Sequence, residues 1–200
     1  MNRLKRAIDL TIAGPALILS APVQALAALA ISSSLGRPVI FIQRRPGLNA
    51  DAFSMRKFRT MHPVDPAKGW TDDETRLTRT GRFLRASSID ELPTLVNVLR
   101  GDMSLVGPRP LLMEYLDKYT PDQARRMEVR PGLTGLAQVS GRNAQSWNER
   151  FELDLFYVDN QSILLDLKIL AKTVWTVLSR KGIASDGHVT MPKFEGPSPC

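Results

Sequence analysis

Residues 10 to 31, LTIAGPALILSAPVQALAALAI, form an uncharged run long enough to cross a hydrocarbon core as a helix rising about 1.5 Å per residue. The run nevertheless contains Pro15 and Pro22. Pro22 falls near its centre, where a missing N–H and a ring clash bend or break a helix. Basic residues lie before the run (Arg3, Lys5, Arg6) and after it (Arg37, Arg44, Arg45), and cationic flanks prefer the cytoplasmic side. A straight span satisfies only one flank. A helix bent at Ala21-Pro22, entering one leaflet and returning, satisfies both, provided that Ser20 or Gln24 partners the polar groups freed at the break. Three other readings stay open: an ordinary span, a buried core helix, and a cleaved signal peptide with MNRLKR as its basic region and Ala25-Leu26-Ala27 as its small-residue site. Asp9 and the length of the run count against the last of these.

The chain of 200 residues suits one compact domain with a core of its own. Lys and Arg number 27 against 20 Asp and Glu, a net charge of +7, so an acidic partner is expected: nucleic acid, nucleotide phosphates or an anionic lipid surface. The single cysteine, Cys200, excludes an internal disulfide framework and a thiolate cluster. His62 and His188 are far apart and show no ligand spacing. Any metal is therefore expected on carboxylates and phosphates, which points to magnesium or manganese.

Beyond the apolar run, alternation and turn residues predict two strands near 38–44 and 52–60, joined through Pro46-Gly47 and Asn49. Residues 62–80 read as a polar, mobile loop. Leu92, Leu95, Val96 and Leu99 follow the helical period from Ser88 to a stop at Gly101, with Pro93 tolerated in the first turn. Further helices are expected at 110–119, 121–130, 145–158 and 161–181. Between them RPGLTGLAQVSGR reads as irregular strand and loop. In the last helix Ile163, Leu167, Leu170, Val174 and Val177 form a stripe of the kind that usually faces the core and only sometimes a membrane.

The chemistry concentrates in SSIDELPTLVNVLRGDMSLVGPRP, residues 87–110. Asp90 and Glu91 admit two readings. They are first-turn acids of a helix capped by Ser87 or Ser88, or a reactive pair that binds a divalent cation and attacks phosphorus. A carboxylate approaches a diphosphate only when cations neutralise the phosphate charge. GPRP supplies one: the prolines stiffen the backbone on both sides of Arg109, aiming a bidentate phosphate ligand. Lys57, Arg59, Arg85, Arg130 and Arg142 are weaker candidates placed near turns.

Together KFRTM (57–61), SSIDELPTLVNVLRGDMSLVGPRPLL (87–112), VRPGLTGLAQVSGRN (129–143) and YVDNQSILLDLKILAKTV (157–174) resemble the bacterial sugar transferase family, the monotopic polyprenyl-phosphate phosphoglycosyl transferases, in its small single-domain form. The resemblance implies an α+β, mostly helical fold: a re-entrant membrane helix over 1–36 and a catalytic domain over 37–182 with a short β-hairpin and amphipathic interfacial helices; the Gly-, Pro- and Ser-bearing stretch 183–200 reads by its composition as a flexible tail. It implies transfer of sugar 1-phosphate from a UDP-sugar to undecaprenyl phosphate, releasing UMP, at the cytoplasmic face of the bacterial inner membrane, with membrane lipids as partners; no nucleic acid is expected, since the chain has no aromatic-rich basic platform and its N-terminus is so apolar. By the same resemblance Asp90 is the nucleophile of a ping-pong reaction, Glu91 holds Mg²⁺ or manages a proton, and Lys57, Arg59, Arg85, Arg109, Gln138 and Arg142 bind substrate. Where the family places Ser-Pro at the helix break, this chain has Ala21-Pro22. A noncatalytic scaffold on the same fold is the alternative from another class.

Overall fold

The structure, a computed structural model, describes residues 3–141, 145–179 and 193–196. Helices α1 (Arg3–Leu19) and α2 (Ala21–Leu35) meet at Ser20 with a bend of 57°. Pro22 withholds a helical donor at this point, and Ser20 compensates. Its Oγ donates to the Ala16 carbonyl at 2.6 Å, lies 3.2 Å from that of Leu17, and accepts from Gln24 Nε2 at 2.9 Å. Both residues expected to serve the break do so, without a serine next to the proline. Among the described residues no single helix is long and apolar enough to cross a membrane, whereas the bent pair is, by length and composition.

Helix α1 is built inside out. Lys5, Asp9 and Ala13, a turn apart, are its buried face, while Ile18 and Leu19 are 74 % and 79 % exposed. Lys5 Nζ donates to the Val106 carbonyl at 3.0 Å and to Asp166 at 2.7 Å. Asp9 Oδ1 accepts from Ser104 Oγ and from the Leu105 N–H, each at 3.0 Å. Arg6 donates to the carbonyls of Val98 and Leu99. The charges that read as a membrane flank or the basic end of a signal peptide are docking groups, and removing them would strip polar partners from the core.

Strands β1 (Ile40–Pro46) and β2 (Ala52–Phe58) pair antiparallel, from Ile40 opposite Phe58 to Pro46 opposite Ala52. The connecting turn places Asn49 and Ala50 at φ 52° and 66°. Residues 62–80, read as a mobile loop, carry local order: His62 stacks on Trp70 at 3.8 Å, and Asp72 caps the single turn α3 (Asp73–Arg76) before α4 (Arg79–Ala86). The helix expected from Ser88 to Gly101 divides into a 3-10 segment, Ile89–Thr94, and α5 (Leu95–Arg100), with Pro93 near the junction.

Strand β3 (Ser104–Val106) lies parallel to β4 (Gly132–Thr134). The two intervening helices expected at 110–119 and 121–130 are short: a 3-10 segment Met113–Lys118, then α6 (Pro121–Ala124) followed by a 3-10 turn. After β4 comes a helix where loop was expected, α7 (Leu136–Ser140), followed by α8 (Trp147–Asp159) and α9 (Ile163–Ser179). Leu167 and Val174, expected in the core, are exposed beside Leu164 and Trp175. The apolar residues of α9 populate both faces, and its polar residues decide which face turns inward: Asp166 meets Lys5, and Thr173 meets Thr134.

The main core joins α1, β2, α5, β3, α8 and α9 through Ala13, Met55, Leu95, Val98, Met103, Val106, Tyr157 and Ile169. A second cluster seats α2 on β2 and α4. The third contains Phe194, from the stretch read as a flexible tail, buried among Tyr115, Phe151 and their neighbours.

Candidate active site

Two buried side chains bring the acidic pair to the hairpin. Thr94 Oγ1 donates to the Arg56 carbonyl at 2.7 Å. Asn97 accepts from the Arg56 N–H at 3.1 Å and donates to the Ser54 carbonyl at 2.8 Å. These bonds occupy main-chain groups of β2 that would otherwise be orphaned, and they fix the register of Ile89–Thr94 against the strand. Lys57, at the end of β2, then faces Glu91. Its Nζ donates to Glu91 Oε1 at 2.7 Å, and Arg109 Nη2 donates to the same oxygen at 2.7 Å.

Burial opposes ionisation of Glu91, but Arg109 and then Lys57 overcome it and hold the carboxyl well below the usual range. Burial lowers the Lys57 ammonium, reinforced by Arg109 and offset by Glu91. Asp90 differs. It is 9 % exposed, and among the described residues nothing hydrogen-bonds to its carboxylate. Burial first, then the charge of Glu91, push its pKa up to about 6. Adjacent acids thus acquire different characters, one locked as an anion between two cations and the other desolvated and proton-hungry. The capping reading loses its support: Ser88 caps nothing with its side chain, and Ser87 Oγ turns back to Phe83 and Leu84.

Arg109 is held from behind as well as by its prolines. Gly107 N–H donates to the Thr134 carbonyl and Gly132 N–H to that of Pro108, each at 2.9 Å, tying GPRP to β4. A Cβ on Gly107 would lie 2.4 Å from the Arg130 carbonyl oxygen, so only glycine allows this approach. Arg126 Nη2 donates to the Arg109 carbonyl at 2.8 Å and to Asp154 at 2.6 Å.

The remaining candidates divide. Arg85 lies beside the site, its Nε donating to Thr60 Oγ1 at 3.0 Å; burial lowers its pKa and Asp90 raises it. Arg59 turns away to the carbonyls of Leu35, Gly36 and Arg37, where it closes the end of α2. Gln138 lies on α7 with both amide atoms buried and without a hydrogen-bond partner among the described residues. Arg142 lies outside the described residues. Sequence reading missed Asn97, Arg126 and Asp154, which hold the site in place. It also missed Arg45 and Arg150, both lowered to about 10 by burial and then by the charge of Arg109. The RR-P pattern of β1 was the only available sign for Arg45.

Two adjacent carboxylates suit a hard cation such as Mg²⁺, which takes one or two carboxylates and completes its shell with substrate phosphates and water. No group of three potential metal-ligating side chains assembles among the described residues, so the protein alone builds no closed cage. Asp90 fits as a ligand because its carboxylate is unpaired there. Glu91 has Oε1 occupied by two cations, leaving Oε2 to contribute.

The bacterial sugar transferase model matches residues 1–180. The chain is 54% identical over 194 residues to the uncharacterized sugar transferase EpsL of Bacillus subtilis, covering 96% of each chain. Over 187 residues it is 45% identical to the UDP-glucose:undecaprenyl-phosphate glucose-1-phosphate transferase of Caulobacter vibrioides, covering 88% of this chain and 70% of that one. It is 37% identical over 198 residues to the undecaprenyl-phosphate galactose phosphotransferase of Salmonella typhimurium, covering 90% of this chain but only 41% of that longer protein. With Glu91 gripped by two cations beside Asp90, and a match running from the first helix to the end of the last, the chain belongs to the bacterial sugar transferase family.

Proposed function

We propose that the protein transfers sugar 1-phosphate from a UDP-sugar to undecaprenyl phosphate, releasing UMP, in two displacements at one phosphorus. The observation that carries this reading is the contrast within the acidic pair: Glu91 ion-paired to Lys57 and Arg109, and Asp90 buried beside it with a raised pKa. A desolvated carboxylate is a better nucleophile than a hydrated one, and the neighbouring cations attract the diphosphate it must attack.

An Asp90 oxygen attacks the phosphorus attached to the sugar oxygen. The bond from that phosphorus to the bridging oxygen breaks, its electron pair leaves with UMP, and a phosphosugar-aspartyl intermediate, an acyl phosphate, remains. A phosphate oxygen of undecaprenyl phosphate then attacks the same phosphorus. The Asp90 oxygen departs, regenerating the carboxylate and yielding the lipid diphosphate sugar. Arg109, Lys57 and Arg85 receive the donor's phosphate charge, and Glu91 keeps Lys57 and Arg109 aimed. Mg²⁺, held by Asp90 and Glu91 together with substrate phosphate, would supply further charge neutralisation.

The bent α1–α2 pair enters one leaflet from the cytoplasmic face of the inner membrane, with its outward Ile18, Leu19, Leu26 and Leu29 in lipid. The lipid acceptor and the reacting phosphates then meet at the membrane surface.

The test is UMP release by purified, detergent-solubilised protein given a panel of UDP-sugars, undecaprenyl phosphate and Mg²⁺, with Asp90→Asn alongside. UMP is expected with at least one donor, dependent on magnesium and abolished in the variant. Silence across the panel beside an active related transferase would replace this reading with that of a noncatalytic scaffold.

A further inference from the structure

The aromatic cluster on the far side of Arg109 has no part in the reaction proposed above, yet among the described residues it gathers most of the ring contacts. Tyr115 and Tyr119 come from the 3-10 segment and its end; Trp147 and Phe151 come from α8. Phe194 enters among them, 2 % exposed, its ring centroid 5.2 Å from Trp147 and from Phe151 and 5.7 Å from Tyr115. Its main chain is held too, since Lys118 Nζ donates to the Phe194 carbonyl at 3.2 Å while lying over the Tyr115 ring. Edge and tilted contacts of this kind are the favoured geometry of packed rings.

The cage is joined to the site through one guanidinium. Arg126 lies over the rings of Tyr119 and Phe151, at 5.9 and 5.5 Å. From there it donates to Tyr119 Oη, to Asp154, and to the main-chain carbonyl of Arg109. Phe194 touches two of the surfaces that orient Arg126, and Arg126 orients the backbone that carries Arg109. The cage is already filled by an apolar ring, Phe194, packed against Trp147, Phe151 and Tyr115. An apolar anchor is what the cage fits.

We infer that Phe194 is a positioning residue, and that the segment Lys193–Gly196 straps the aromatic cage so that Arg126 holds Arg109 in register for the donor diphosphate. The inference rests on the transferase reading, because the role of Arg109 does. In a two-displacement reaction the specificity constant of each substrate reports its own half-reaction. A loosened Arg109 should therefore cost the donor step and spare the acceptor step. Misplacement of a catalytic group by about 1 Å can cost on the order of 100-fold.

The experiment compares the full-length chain with Phe194→Ala and Phe194→Leu, using whichever UDP-sugar supports UMP release by the native chain. Expected are a fall of roughly 10- to 100-fold in kcat/KM for the donor with alanine, a smaller fall with leucine, and an unchanged kcat/KM for undecaprenyl phosphate. A synthetic peptide of residues 188–200, added in excess to Phe194→Ala, should restore the donor step, while the same peptide with alanine at 194 should not. If alanine compromises folding, the leucine variant carries the comparison. Native-like donor kinetics in the variants would overturn the inference. So would faster turnover, which would make the segment an inhibitory plug, and so would equal losses for both substrates without peptide rescue. An inactive native chain would instead sink the transferase reading, so the two failures are separable.

Discussion

At the residue scale, Asp90 and Glu91 show how neighbours in sequence become opposites in chemistry. The ordinary aspartate pKa is 3.8, and in the fold Asp90 is pushed up to about 6, so the folded state binds this proton more tightly than the unfolded chain. Its ionisation therefore costs stability: the folded state is favoured below the unfolded value, and that advantage is lost as pH rises through about 6. By this linkage the ionised carboxylate costs on the order of 1–3 kcal/mol at neutral pH. Asp90→Asn should accordingly melt a few degrees higher than the native chain at pH 7.5, with the gain vanishing near pH 4, while activity is lost. An unchanged melting temperature at pH 7.5 would show that Asp90 carries no such desolvation. Glu91→Gln should do the reverse. It leaves Lys57 and Arg109 without their shared anion and should destabilise the chain by about 1–3 kcal/mol. It also removes a charge that raises Asp90, so the acid limb of any residual activity should move to lower pH.

At the element scale, two short pieces are set by contacts that admit little change. The bend between α1 and α2 depends on Ser20, whose hydroxyl serves carbonyls on its N-terminal side and receives Gln24 from the other. Ser20→Ala frees these groups in an apolar stretch. It should lower the yield of folded protein and alter the bend, read as a changed distance between spin labels on the two helices; an unaltered distance would place the cause of the bend in Pro22 alone. The GPRP segment depends on Gly107, where an added Cβ meets the Arg130 carbonyl at 2.4 Å. Gly107→Ala should part β3 from β4, displace Arg109 and reduce turnover by roughly 100-fold. Turnover within about threefold of native would mean that the backbone has room to yield.

At the scale of the whole molecule, apolar surface is distributed in a way that water does not favour. Leu164, Leu167, Val174 and Trp175 form an outward stripe on α9, and α1 and α2 show Ile18, Leu19, Leu26 and Leu29. Lys5 and Asp166 tie α1 to α9 at 2.7 Å. Replacing Leu167 and Trp175 by aspartate should release a substantial fraction of the protein from anionic vesicles in a flotation assay, with the melting temperature little changed because both side chains are exposed. Full retention on the vesicles would assign membrane binding to the bent helices alone.

The broken apolar run, the hairpin, the acidic pair and the stiffened Arg109 were all legible in the sequence, because each rests on local chemistry: proline geometry, alternation, and charge next to charge. The family resemblance extended that legibility to the reaction class, transfer of a sugar 1-phosphate. What the sequence left open was which face of α9 points inward, that α7 is a helix, that Arg59 closes α2, and that Phe194 docks. Three of these four depend on a partner many residues away: Asp166 on Lys5, Arg59 on the end of α2, Phe194 on Trp147 and Phe151. The difference between Asp90 and Glu91 is of the same kind. Residues 90 and 91 have the same charge and nearly the same side chain, and only the fold, by bringing Lys57 and Arg109 to one carboxylate and burying the other without a partner, tells them apart.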